Sequence, residues 1–173
     1  REAIKTFTDV ELGMVEIERT TTDVTVNFKE MRDELLKIGA EYGHTWDTIQ
    51  DVAFKWAQAG YEVNDILELT RASLLALNVA ELEVQGATQG LIAVMAQWNL
   101  ETREIVPLID KINITSDNYA ITSQDLIDAL VRASGAAKVM NLTLDETIAI
   151  ITTMREATGR AGREVGNAIN SIL

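Results

Sequence analysis

The sequence predicts an all-α fold, on three observations. Apolar residues recur at helical spacing through most of the chain, and no segment sustains the period-2 alternation of a half-buried strand. One proline and ten glycines in 173 residues are too few for a turn-rich β protein. The third observation is a corner pattern that occurs three times: Gly or Asn, an apolar residue, a polar residue, and an acid three positions after it. The copies are Gly60-Tyr61-Glu62 with Asp65, Asn99-Leu100-Glu101 with Glu104, and Asn141-Leu142-Thr143 with Glu146. Gly or Asn takes the left-handed conformation that ends a helix. The apolar residue folds back on the helix just ended, the polar residue opens the next, and the acid bonds back to it. Gly43-His44-Thr45 with Thr48 is a weaker fourth copy.

The elements follow in order. Val10, Met14 and Ile17 form a short apolar stripe. Thr20-Thr21-Thr22-Asp23 lowers helix propensity, which predicts a break near 20–23. Val24, Phe28, Met31, Leu35, Ile38 and Tyr42 step by alternating fours and threes, the seam of a coiled coil or long bundle helix, and this seam predicts self-association. Residues 1–42 are therefore read as a long N-terminal helical segment and 43–173 as a helical core domain. Trp46, Ile49, Ala53 and Trp56 lead to the Gly60 corner. Ile66, Leu67, Thr70, Leu74 and Leu77 follow, with a weak stop at Asn78. Val84, Ala87, Leu91, Met95 and Trp98 end at Asn99. Pro107 then calls for a short helix or a kink. Asn113 to Tyr119 shows no period and reads as a loop. Thr122 with Asp125 recaps the chain. Leu126, Leu130, Ala133, Ala137 and Met140 form the next stripe, with Gly135 on a small-residue patch suited to close helix contact. Leu144, Ile148, Ile151 and Met154 follow, Gly159 and Gly162 interrupt, and Val165 to Leu173 forms a last short helix. That makes about eight helices joined by tight Gly/Asn corners, as an irregular helical array or a bundle. The main corners are 39 and 42 residues apart, near the period of helical-hairpin repeats.

Composition narrows function. The net charge is −12, and residues 41–125 carry −9 of it, with 13 acids and 4 bases. So acidic a segment repels phosphate backbones, and no nucleic-acid binding is expected. The absence of Cys excludes disulfides, thiol nucleophiles and thiolate metal sites in this chain. No apolar run approaches the ~18 residues that span a bilayer, so no membrane span is expected. The chain begins at Arg1 without an initiator Met and is read as part of something longer.

The motifs that carry chemistry are weak. His44, the only histidine, stands three residues before Asp47 beside a cap position, which suits a helix start better than a metal pair. Glu62 with Asp65, and Glu101 with Glu104, sit at helix starts, where acids cap and complement the dipole. Gly86 and Gly90 are four apart, a spacing for close helix packing. No phosphate-binding glycine loop or nucleophile elbow occurs. Trp46, Trp56 and Trp98 lie on apolar stripes and read as core, with an aromatic interface as the alternative. No catalytic, cofactor-binding or metal-ligating residue is assigned.

Longer blocks carry a resemblance. Ile49-Gln-Asp-Val-Ala-Phe-Lys-Trp-Ala-Gln-Ala-Gly60-Tyr61 resembles a segment of the tail tape measure proteins of long-tailed bacteriophages and prophages. Asp110-Lys111-Ile112-Asn113 leading into Ser116-Asp117-Asn118-Tyr119-Ala120-Ile121-Thr122-Ser123-Gln124-Asp125-Leu126 is similar to a block of the same family. So are the corner running from Ala136 to Thr147 and the segment Gly162 to Ile169. The resemblance runs from about Thr22 to the C-terminus. The chain departs from the family pattern at Asn99 and Asn141, where Gly is commoner, and Asn tolerates the same turn. The resemblance implies a non-enzymatic structural segment of the core region, acting in tail assembly and tail-length determination. It implies the tail tube, a tail chaperone and the baseplate hub as partners. It places the chain inside the tail tube of the virion, and in the host cytoplasm before assembly. Some members carry peptidoglycan-degrading domains elsewhere, and nothing here resembles one. The competing expectation is an independent α-helical protein-binding or adaptor module.

Overall fold

The computed structural model describes residues 2–21, 26–80 and 82–171, with every side chain among them except those of 2–7 and 85. The described residues are all-α, with nine helices and no strand: α1 (Glu2–Thr20), α2 (Phe28–Tyr42), α3 (Trp46–Gln58), α4 (Val63–Val79), α5 (Val84–Trp98), α6 (Ile105–Asn118), α7 (Ser123–Val139), α8 (Leu144–Thr158) and α9 (Gly162–Ser171). A 3₁₀ turn, Thr102–Glu104, precedes α6. The chain forms two compact units, residues 1–75 and 76–173.

The corners are built as their residues dictate. Gly43, Gly60, Asn99 and Asn141 all have positive φ, between 54° and 87°. In each, the following N–H bonds the carbonyl five residues back: His44 to Gly39 at 3.0 Å, Tyr61 to Trp56 at 3.4 Å, Leu100 to Met95 at 2.8 Å, and Leu142 to Ala137 at 2.8 Å. This closure satisfies helix-end carbonyls that would otherwise lack partners. Thr143 and Glu146 complete a reciprocal box, with Glu146 N–H on the Thr143 hydroxyl (3.2 Å) and Thr143 N–H on the Glu146 carboxylate (2.9 Å). At the second corner Glu101 N–H bonds Glu104 at 2.7 Å. Thr122 caps α7 through Asp125 N–H at 3.1 Å.

In unit 1, α1 packs on α3, with Gln50 Nε2 on Glu16 at 3.0 Å and Gly13 against the Gln50 side chain. The helices α2 and α4 pair likewise, Glu30 and Glu34 lying near Val63 and Leu67, and Glu41 4.0 Å from Arg71. The core gathers Met14, Ile17, Met31, Leu35, Ile38, Ile49, Ala53, Trp56 and Ile66, all buried. The expected 24–42 seam therefore spends its middle inside its own unit. Phe28 and Tyr42 are half-buried, and Val24 lies outside the described residues. The expected break is bounded on one side: α1 ends at Thr20, with the Thr20 and Thr21 hydroxyls on the Ile17 carbonyl at 2.7 and 3.1 Å. Thr22 lies outside the described residues.

In unit 2, α5, α7 and α9 run in one direction as a first layer, and α6 and α8 form a second. Hydrogen-bonded pairs within one layer, three between helices and one from the turn after α6, are 34 or 35 residues apart: Lys111–Asp145, Asp128–Arg163, Arg132–Asn167 and Ala120–Arg155. Glu16–Gln50 in unit 1 has the same separation, 34 residues. Each unit is thus stacked from helical hairpins, one of the two arrangements that the sequence left open, with an offset shorter than the 39 and 42 residues between corners. Glycines let the first layer close. A Cβ on Gly90 would meet Ile127, one on Gly162 would meet the Asp125 carbonyl, and one on Gly166 would stand 2.7 Å from the Ala129 carbonyl.

Four details depart from the sequence reading. Residues Asn113 to Asn118 are helical, not a loop, and continue α6. Thr115, Ser116 and Asn118 turn their polar atoms onto the Lys111, Asn113 and Ile114 carbonyls at 2.7–2.9 Å, while Ile105, Leu108, Ile109, Ile112 and Thr115 keep a buried stripe. Pro107 needs no kink, because the 3₁₀ turn delays α6 until proline stands in its first turn. Gly135 makes no close contact, since a Cβ there would lie 3.5 Å from Asn170 Oδ1. The close approach belongs to Gly162 and Gly166 of α9. Met140 leaves the buried stripe, being 51% exposed, because α7 stops at Val139.

Candidate functional site

The residues singled out for chemistry do not assemble a reaction centre. His44 is half-buried at the α2–α3 corner, and its Nε2 has no hydrogen-bond partner. Among the described residues no group of three His, Asp or Glu side chains converges to hold a metal ion. Glu104 serves the cap of its 3₁₀ turn, and Glu101 pairs with Arg103 at 2.8 Å. Glu62 is exposed at the start of α4, its carbonyl taking Ile66 N–H at 2.8 Å. Glu146, doubly bonded by the Thr143 N–H and hydroxyl, titrates below the usual carboxylate range. Glu101, Glu104 and Glu146 thus belong to capping boxes at helix starts.

The tryptophans divide by role. Trp56 is fully buried, donates to Ser73 Oγ at 3.0 Å, and meets the Tyr61 ring edge-on at 5.2 Å. Burial, and secondarily Asp65, pushes the Tyr61 phenol above its ordinary pKa. Trp98 is half-buried and donates to the Leu142 carbonyl at 3.3 Å, tying the second corner to the third. Trp46 is half-buried, with its indole nitrogen unpartnered.

What the fold offers instead is recessed surface. In unit 1 a groove of about 370 Å³ lies between the N-terminal halves of α2 and α4, lined by Val26, Met31, Val63 and Leu67 with Asn27, Asn64, Glu30 and Glu34. In unit 2 a polar cleft of about 480 Å³ includes Glu83, Asn113, Asp117 and Gln124. A second recess there, of about 400 Å³, lies over Gly86 and Gly90, between Arg132 and Arg163. Sequence reading missed all three. The visible signal for the first was two (i, i+4) pairs, Glu30/Glu34 and Val63/Leu67, whose proximity only folding creates. Both units are acidic, with 15 acids against 8 bases in residues 1–75 and 12 against 7 in 76–173. Surfaces of this sign repel a phosphate backbone. No helix among the described residues is long and apolar enough to cross a membrane.

The tape measure protein of Pneumococcus phage Dp-1 is 22% identical over 172 residues, which covers 99% of this chain and 15% of that protein. The chain thus spans about one-seventh of that relative's length. No solved structure matches. The profile of the phage-related minor tail proteins matches residues 32–173, from within α2 to the end of the chain. The chain belongs to the phage-related minor tail protein family, a family of structural phage tail proteins.

Proposed function

We propose that this chain is a folded, non-enzymatic segment of a tail tape measure protein, acting in tail assembly and in setting tail length. The observation that carries the reading is the likeness to a tape measure protein along 99% of the chain, within a family matched over residues 32–173. The fold supports it, since its acids cap helices and its tryptophans pack corners. In this reading the segment resides in the tail tube of the virion after synthesis in the host cytoplasm. It meets tube, chaperone and baseplate hub proteins there. Residues 43–173 act as the core domain, and 1–42 lead into it. Self-association would use surface other than Met31, Leu35 and Ile38, which the unit buries.

A helix measures length at about 1.5 Å per residue, and stacked hairpins convert residues to length far less efficiently. The ruler is then extended helix elsewhere in the parent protein, and each of the two units here is a compact stack. In-frame deletions and duplications in the parent gene test this by electron microscopy of tails. Changes in the helical flanks should shift tail length by about 1.5 Å per residue, and removal of the segment by much less. Tails of unchanged length in both series would refute the ruler and leave an independent helical binding module.

A further inference from the structure

We propose that the groove between the N-terminal halves of α2 and α4 docks a basic, apolar-anchored helical segment of a partner protein. The inference does not depend on the tape measure reading.

The α2–α4 pair of unit 1 and the α6–α8 pair of unit 2 differ at one place. In unit 2, α6 and α8 are bridged by the Lys111–Asp145 ion pair, and Arg155 crosses to the Ala120 carbonyl at 3.0 Å. In unit 1, the C-terminal half of α2 meets α4 through Glu41 and Arg71 at 4.0 Å. The N-terminal halves leave a groove instead. Its floor is apolar: Met31 is buried, and Val26, Val63 and Leu67 are half-buried. Its α2 rim carries Glu30 and Glu34, one turn apart, while α4 contributes Asn64 and no cation to the lining. Glu34 pairs with Lys37 at 2.6 Å on its own helix. Among the described residues no cation lines this groove as Lys111 bridges α6 and α8 in unit 2.

Charge and shape then specify the occupant. Residues 27–34 of α2 rise roughly 10 Å, room for two turns of a docked helix. One or two apolar side chains of that helix fit between Val63 and Leu67, and a Lys or Arg beside them reaches Glu30 and Glu34. The unit carries −7 overall, so the long-range field attracts the same partner that the rim holds. An acidic partner, or the acidic surface of a second copy of this chain, is repelled from this groove.

The probe is a fluorescent amphipathic peptide of about 14 residues, roughly four turns, with leucine on one face and lysine on the other. Its control carries glutamate for lysine. Anisotropy is measured with the 173-residue chain. The lysine peptide should bind and the glutamate peptide should not. Glu30→Lys with Glu34→Lys should weaken the lysine peptide by about tenfold or more and admit the glutamate peptide. Glu30 is exposed and the Glu34 side chain is 44% exposed, so the fold survives, as circular dichroism will verify. Val63→Ser should weaken both pairings. Equal binding by the rim variant, no transfer of preference, or an equal loss from Asp110→Lys in unit 2 would overturn the proposal.

Discussion

The two units solve one packing problem with different materials. Unit 1 closes around bulky side chains: Trp56 fills the centre, anchored by Ser73 and braced by Tyr61, while α1 meets α3 through the flexible end of Gln50. Unit 2 closes by removing side chains, so that α9 sits directly on the α7 backbone at Gly162 and Gly166. A core built on volume is sensitive to losing atoms, and a seam built on backbone contact is sensitive to gaining them.

Substitutions in the two units should therefore respond with opposite sense. The largest effect is expected from Trp56→Ala, which empties the centre of unit 1 and should cost about 3–5 kcal/mol in denaturant unfolding. Next comes Gly162→Ala in unit 2. Its methyl group meets the Asp125 carbonyl, which cannot swing away, and the expected loss is about 1–3 kcal/mol. Hydrogen exchange should place the loosening in α9. The matching change in unit 1, Gly13→Ala, meets only the Gln50 side-chain end and gains helix propensity of about 1 kcal/mol, so its net effect should stay within about 0.5 kcal/mol of zero. If Gly13→Ala proves as costly as Gly162→Ala, the contrast between the units fails.

The corners form a smaller scale of effects. Thr143→Ala removes the cap of α8 and should cost about 1 kcal/mol. Asn141→Gly keeps the left-handed turn and should be close to neutral, whereas Asn141→Ala strains it at φ 55° by about 1 kcal/mol. The smallest effect is electrostatic. The Glu146 pKa is lowered in the folded chain by the Thr143 hydrogen bonds. Its contribution is therefore present above the unfolded carboxylate pKa and lost as pH falls through the lower folded value. Stability of the parent minus that of Glu146→Gln should shrink on acidification, read from paired unfolding curves. A difference that is flat with pH would show that the cap acts without its charge.

Much of this was legible in the chain. Gly60, Asn99 and Asn141 announce their corners because a positive φ admits few residue types, and Thr143-x-x-Glu146 announces its box because both bonds close within four residues. The 113–118 stretch misled because Asn, Ser and Thr favour turns when water is their alternative partner. In α6 their polar atoms find helix carbonyls, and Ile112 and Thr115 are held by tertiary burial. Gly135 and Gly162 show the limit most clearly. Each is a glycine within or at the start of a helix, and only the path of α9 across α7 makes one nearly indifferent and the other a contact.

Helix content, corner positions and acidic character thus follow from the chain alone, because φ preference, capping and period act over a few residues and charge simply sums. Which glycine touches backbone, which seam turns inward, and where a groove stays open were settled by folding. Each depends on side-chain size at positions some 35 residues apart, and no local rule relates those positions until the hairpins stack.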